Sequence, residues 1–120
     1  MDMNWVEKFI EKGPSKEIVE KIDDFARNLL KGKEIPESQI RKIFNEMKSL
    51  EMKGYKEGNG DAMLPLVKAK LAYVTGKKSE LQKLREILDK GINHVLNGED
   101  MGERKRRFNN LMKMFEAILA

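Results

Sequence analysis

The stretch SQIRKIFNEMKSLEMKGYKEGNGDAMLPLVKAKLAYVTGKK, residues 38–78, decides the fold. It contains one amphipathic helix, a glycine-rich break, and a second helix opened by a proline and closed by a glycine. In the first helix Ile40, Ile43, Phe44, Met47 and Leu50 recur at helical spacing and make a narrow stripe that faces a core. Arg41, Lys42, Asn45, Lys48 and Ser49 fall away from that stripe. The break, GYKEGNGD over 54–61, has three glycines and Asn59, and is expected to be a turn-rich, mobile loop carrying Lys56. The second helix is expected to start at Leu64-Pro65, because proline is tolerated in a first turn. Leu64, Val67, Leu71 and Val74 form its apolar stripe, with Lys68 and Lys70 flanking it on opposite sides. Tyr73 turns toward the opposite face, and Gly76 stops the helix.

Charge is distributed unevenly around this stretch. It carries nine cations (Arg41, Lys42, Lys48, Lys53, Lys56, Lys68, Lys70, Lys77 and Lys78) against four carboxylates, whereas residues 1–35 carry seven cations against eight. A basic helical surface is therefore the first functional indication. Lys77 and Lys78 follow a helix C-terminus, where positive charge suits the helix dipole, and that placement competes evenly with a binding role.

Toward the N-terminus, Trp5, Val6, Phe9 and Ile10 share one stripe of a short helix that Gly13-Pro14 ends. So short a helix must dock on something. Trp5 sits among aliphatic neighbours and reads as a docking residue, not a base-stacking platform. Ser15 reads as an N-cap for a helix whose core face is Ile18, Val19, Ile22, Phe25, Ala26, Leu29 and Leu30, stopped at Gly32. Its polar face alternates in sign and reads as solvated.

Toward the C-terminus, Ser79 to Gln82 has the spacing of a capping box. It opens a helix carrying Leu81, Leu84, Ile87, Leu88, Ile92, Val95 and Leu96. Gly91 inside that helix implies close packing against a neighbour or a slight bend. Asp100 and Glu103 cap a last helix carrying Phe108, Leu111, Met112, Phe115, Ile118 and Leu119. The cations Arg104, Lys105, Arg106 and Arg107 in its first turns oppose the dipole. Pairing with Asp100 and Glu103 accounts for them about as well as recruitment of an anion does.

The chain of 120 residues is one domain by size. An apolar share of 40% against a charged share of 37% fits helices with heavily charged outer faces. No β-type alternation, long heptad run or internal repeat appears. The fold expected is all-α: a compact helical bundle of about five main helices plus a short N-terminal helix. Within this single helical domain, residues 1–35 supply the N-terminal helices and residues 36–120 the basic core. The absence of cysteine excludes disulfides and cysteine-rich zinc sites. No apolar run approaches the roughly 18 residues of a membrane span, and Asp2 and Glu7 do not fit a signal peptide. A cytoplasmic protein without membrane partners is expected.

Catalytic chemistry is not indicated. The loop at 54–61 lacks the lysine-hydroxyl end of a Walker motif, and no strand precedes it. His94 is the only histidine and lies between core positions, as a packed or surface residue does. The carboxylates are interleaved with lysines on polar faces. No enzyme activity, no metal and no cofactor is expected. The net charge of +4 permits a polyanion partner without requiring one.

Three blocks point further: SQIRKIFNEMKSLE (38–51), LPLVKAKLAYVTGKK (64–78) and FNNLMKMFEAILA (108–120). Their S-Q-I-R-K start, K-x-K-L-A-Y-x-x-G motif and terminal F-x-N-x-x-x-x-F-E-A-I pattern resemble the small α-helical subunit of type III-A CRISPR–Cas effector (Csm) complexes. The blocks cover about a third of the chain, and their order and spacing span 38–120. The resemblance implies a non-catalytic subunit, present in several copies and used in antiviral defence. It would lie beside the repeated backbone subunits and the large subunit and contact guide RNA and the target RNA paired with it. Guide pairing supplies sequence specificity, so such a subunit need only hold phosphates.

Carried to matching positions, the RNA-binding candidates are Arg41, Lys42, Lys48, Lys68, Lys70, Lys77 and Lys78, with Arg106 and Arg107 added on charge alone. The alternative is a helical assembly module that self-associates and binds partner subunits without touching RNA. Exposed Tyr73 and the aliphatic N-terminal helix favour it, and that helix docked on a second copy would give a homodimer in isolation.

Overall fold

The computed structural model describes residues 4–30, 37–76 and 79–119. The described residues form α1 (Asn4–Lys12), α2 (Lys16–Leu30), α3 (Glu37–Lys53), α4 (Gly60–Thr75), α5 (Ser79–Leu96) and α6 (Met101–Leu119), with no strand among them. This is the all-α bundle that the periodicity predicts. Two caps form as the sequence implies. Ser15 Oγ accepts from the Ile18 N–H at 3.3 Å, and Asp100 Oδ1 accepts from the Glu103 N–H at 2.8 Å, each satisfying an orphan donor of a first helical turn.

Helix α6 is the axis of the fold and packs against α1, α2, α3 and α5. Its sequence explains why. Phe108, Leu111, Met112 and Phe115 make one buried face, and Met114 and Ile118 extend burial round the helix. Met114, absent from the expected core, is fully buried because helices pack on α6 from several sides, leaving only a strip that includes Lys105, Lys113 and Glu116 open to solvent. Phe44 of α3 meets Phe115 edge-on at 5.2 Å. At Gly91 α5 lies close against α6: a Cβ there would stand 2.8 Å from Leu111 Cδ1. The packing reading of this glycine therefore holds.

Helix α1 is not left over. Trp5, Val6, Phe9 and Ile10 are all buried within this chain, where α1 packs on α5 and α6. Docking of that stripe on a second copy thus loses its motive. The core of α2 is narrower than expected, since Val19 is largely exposed. The expected core positions Leu29 and Leu30, and the stop at Gly32, lie outside what the structure describes in side-chain detail.

The glycine-rich break differs from expectation. It is turn-rich, but it is pinned. Tyr55 is only 1% exposed and packs beside Phe108 at 5.4 Å between ring centroids. Its hydroxyl donates to Asp61 Oδ1 at 2.8 Å. Asn59 takes the left-handed conformation that asparagine tolerates (φ 58°), and α4 starts directly after it at Gly60 instead of at Leu64. Pro65 therefore lies beyond the first turn, where its missing N–H leaves the Asp61 carbonyl without a helical donor.

Burial, and then the hydrogen bond to Asp61, push the Tyr55 phenol well above the ordinary tyrosine value of about 10. A folded-state pKa above the unfolded one gives stability that is full below the unfolded value and is lost as pH rises past it. We expect the melting temperature to fall above about pH 10, and the fall to be smaller in Tyr55→Phe. Parallel thermal melts of the two proteins across alkaline pH check this. Equal slopes would exclude the phenol as the cause.

Candidate nucleic-acid interface

On α3 the basic candidates divide between two flanks. Arg41 donates from Nη2 to the Leu119 carbonyl at 3.3 Å, toward the end of α6. Lys48, seven residues on, points along the same flank and pairs with Glu51 at 2.8 Å. The hydrogen bond and charge of Glu51 hold the Lys48 ammonium above its ordinary pKa, with a smaller contribution from Glu116 of α6. Both cations are exposed.

Lys42 lies on the other flank, facing α4. There it lines a groove of about 410 Å³ whose floor includes Ile43, Ala69 and Val74. Lys70 and Tyr73 line the same groove from α4. Lys70 Nζ pairs with Glu46 Oε2 at 2.6 Å across the two helices. Lys68, two residues earlier, points the opposite way and donates to Asn93 Oδ1 of α5 at 2.7 Å. The expected opposition of Lys68 and Lys70 is thus observed. Two residues on a helix are about 200° apart, so the K-x-K spacing cannot place both lysines in one site. Lys77 and Lys78 lie outside the described residues.

Three of the four cations at the start of α6 are internally engaged. Arg104 Nη1 donates to the Gly98 carbonyl at 2.9 Å, and its Nε lies 3.1 Å from Asp61. Arg106 pairs with Glu103 at 2.5 Å and also donates to the Glu11 carbonyl. Arg107, half-buried, donates to Glu103 Oε1 at 3.0 Å and to the His94 carbonyl at 2.7 Å. The hydrogen bonds from Arg106 and then Arg107 hold the Glu103 carboxyl below the usual carboxylate range. Glu103 thereby accounts for much of the charge that the helix dipole disfavours.

These donors also serve α1. A helix leaves its last carbonyls without intrahelical partners. Here the Ile10 carbonyl accepts from Asn110 Nδ2 at 2.9 Å and the Glu11 carbonyl from Arg106. The Glu11 carboxylate contacts His94 Nε2 at 2.8 Å, so the only histidine is a tether of α1. Asn110 is buried, and truncating it strands the Ile10 carbonyl. Asn110→Ala is expected to destabilise the fold by about 1–3 kcal/mol in denaturant melts. A change within error would mean that water replaces the amide.

One basic groove was not foreseen. Lys53, Lys105 and Lys113 line a depression of about 620 Å³ between the end of α3 and α6, with Asn109, Glu51 and Glu57 also on its wall. The sequence signal was the spacing of Lys105, Asn109 and Lys113, a polar stripe at intervals of four on α6. Among the described residues no group of three or more His, Cys, Asp or Glu side chains gathers as a metal site, and no helix is long and apolar enough to cross a membrane.

A family model described as Csm2 Type III-A matches residues 12–120. The chain belongs to the Csm2 family. It is a small subunit of a type III-A CRISPR effector complex, as its three motif blocks imply. The match takes in α2 through α6 whole and begins at the last residue of α1. No curated protein and no solved structure matches the chain.

Proposed function

We propose that this subunit is non-catalytic and holds guide RNA and its paired target through sequence-independent phosphate contacts. The observation that carries the reading is the groove between α3 and α4, where Lys42 and Lys70 come together from two different helices of the most basic segment. Arg41 and Lys48 extend the positive surface along the far flank of α3. Lys68 faces α5, and Lys77 and Lys78 follow α4 in sequence. Arg106 and Arg107 contribute least, because Glu103 and Glu11 already oppose their charges. Neighbouring partners are the repeated backbone subunits, the large subunit and further copies of the chain.

Fluorescence anisotropy of a labelled single-stranded RNA of unrelated sequence, titrated with the chain over a range of salt, tests this. Log affinity should fall linearly with log salt, by about 0.7 for each phosphate contact. Absence of binding even at low salt would count against direct RNA contact by the subunit. A second reading rests on Met52 and Leu66, exposed on α3 and α4. They suit contacts with neighbouring subunits, and sedimentation of the chain alone would reveal self-association.

A further inference from the structure

The chain has two tyrosines, and the fold uses only one of them. Tyr55 is buried and hydrogen bonded, whereas Tyr73 is 88% exposed at the mouth of the α3/α4 groove. Its neighbours one turn back on α4 are Ala69 and Lys70. Ala69, like Tyr73, lines the groove and adds little bulk to it. The polar groups of the groove are Gln39, Lys42, Glu46 and Lys70. An aromatic face left in water, with an ammonium contributed from each of two helices, is the arrangement by which proteins hold single-stranded nucleic acid. The base stacks on the ring and the backbone lies along the cations.

We infer that Tyr73 is a stacking platform for one unpaired nucleotide, whose flanking phosphates lie against Lys42 and Lys70. This rests on the phosphate-contact reading given above and adds to it an unpaired base. Lys42 and Lys70 stand against the single carboxylate of Glu46 in this lining, and the surplus positive charge favours a phosphate-bearing occupant over an uncharged protein segment. Glu46 is the opposing element. Its carboxylate occupies Lys70 at 2.6 Å and must yield that lysine before a phosphate can take it. The carboxylate therefore sets a threshold on binding, and its removal strengthens the site.

The test uses the full chain, a labelled oligouridylate, and six proteins: the natural chain, Tyr73→Ala, Tyr73→Phe, Glu46→Gln, Lys42→Ala and Lys70→Ala. So exposed a side chain can be replaced without disturbing the core, and thermal melts verify this. Tyr73→Ala is expected to weaken binding by about ten-fold, within the range that loss of one stacked base spans, with the salt slope unchanged. Tyr73→Phe retains the ring and should bind like the natural chain. Glu46→Gln should bind several-fold tighter with the salt slope unchanged, because Lys70 makes the same phosphate contact in both proteins.

If Tyr73→Ala binds normally while Lys42→Ala and Lys70→Ala bind weakly, stacking is wrong and the phosphate reading stands. If Tyr73→Phe is as weak as Tyr73→Ala, the hydroxyl is what matters and stacking is again wrong. If Tyr73→Ala keeps its RNA affinity but no longer joins the reconstituted effector complex, the ring is a protein contact. If the natural chain binds no oligouridylate at low salt, the phosphate reading itself fails.

Discussion

Replacing Arg41, Lys42, Lys48 and Lys70 together with glutamate is expected to lower the affinity for single-stranded RNA by on the order of a hundred-fold near physiological salt. The magnitude follows from counterion release. Four phosphate contacts at about 0.7 each give a slope near 3, and that slope disappears with the contacts. All four side chains are exposed, so the reversal does not bury a charge. Two of them stand in ion pairs, Lys48 with Glu51 and Lys70 with Glu46. Exposed pairs of this kind are worth at most about 1 kcal/mol, so a phosphate displaces the carboxylate at little cost. Reversal also leaves Glu46 and Glu51 beside new carboxylates, which raises local repulsion toward RNA. Anisotropy titrations at several salt concentrations, with melts as a folding control, decide the matter. An unchanged slope would mean that these cations do not touch phosphate.

The second large effect concerns stability. Gly60→Val is expected to destabilise the chain by roughly 3 kcal/mol, about 10 °C in melting temperature. Gly60 does not have the left-handed backbone seen at Gly13, Gly54 and Gly76, so conformational freedom does not explain it. The reason is steric. A Cβ at this position would stand 2.3 Å from Tyr55 Cε1 and 2.6 Å from Cζ. The ring cannot give way, because Phe108 packs beside it and Asp61 holds its hydroxyl. Either the ring leaves its pocket, losing burial and the hydrogen bond, or α4 shifts at its first turn. A cycle with Tyr55→Leu separates these causes: if the clash is the origin, Gly60→Val costs much less in the Tyr55→Leu background. Additive effects would place the cause elsewhere.

That pair also shows where the sequence was legible. The α-helices, their stripes and most of their ends follow from spacing and caps, because a 3.6-residue period needs no knowledge of the partner. Ser15, Gly76 and Asp100 act locally and were readable for the same reason. Tyr55 was not, because a single aromatic within GYKEGNGD has no periodicity around it, and the ring it packs beside, Phe108, belongs to α6. Met114 escaped notice since a stripe model assumes one buried face. At the candidate interface, the division of Lys68 from Lys70 was readable from helical geometry. The meeting of Lys42 with Lys70 required the packing of α3 on α4, and so did the pairing of Lys70 with Glu46. Arg106 and Arg107 illustrate the same limit: charge is visible in a sequence, but the carbonyls it serves are not.

The seating of α1 between α5 and α6 has a consequence for how the polypeptide reaches its native state. Ile10 and Asn110 are 100 residues apart in sequence, and contacts of such separation form only after a long loop has closed. During synthesis Trp5, Val6, Phe9 and Ile10 are made well before α5 and α6, the helices that cover them. Contacts among α3 to α6 span shorter stretches of sequence, so the docking of α1 is expected to follow them. Trp5 is the only tryptophan of the sequence and is buried where α1 docks, so its fluorescence reports the docking of α1 on α5 and α6.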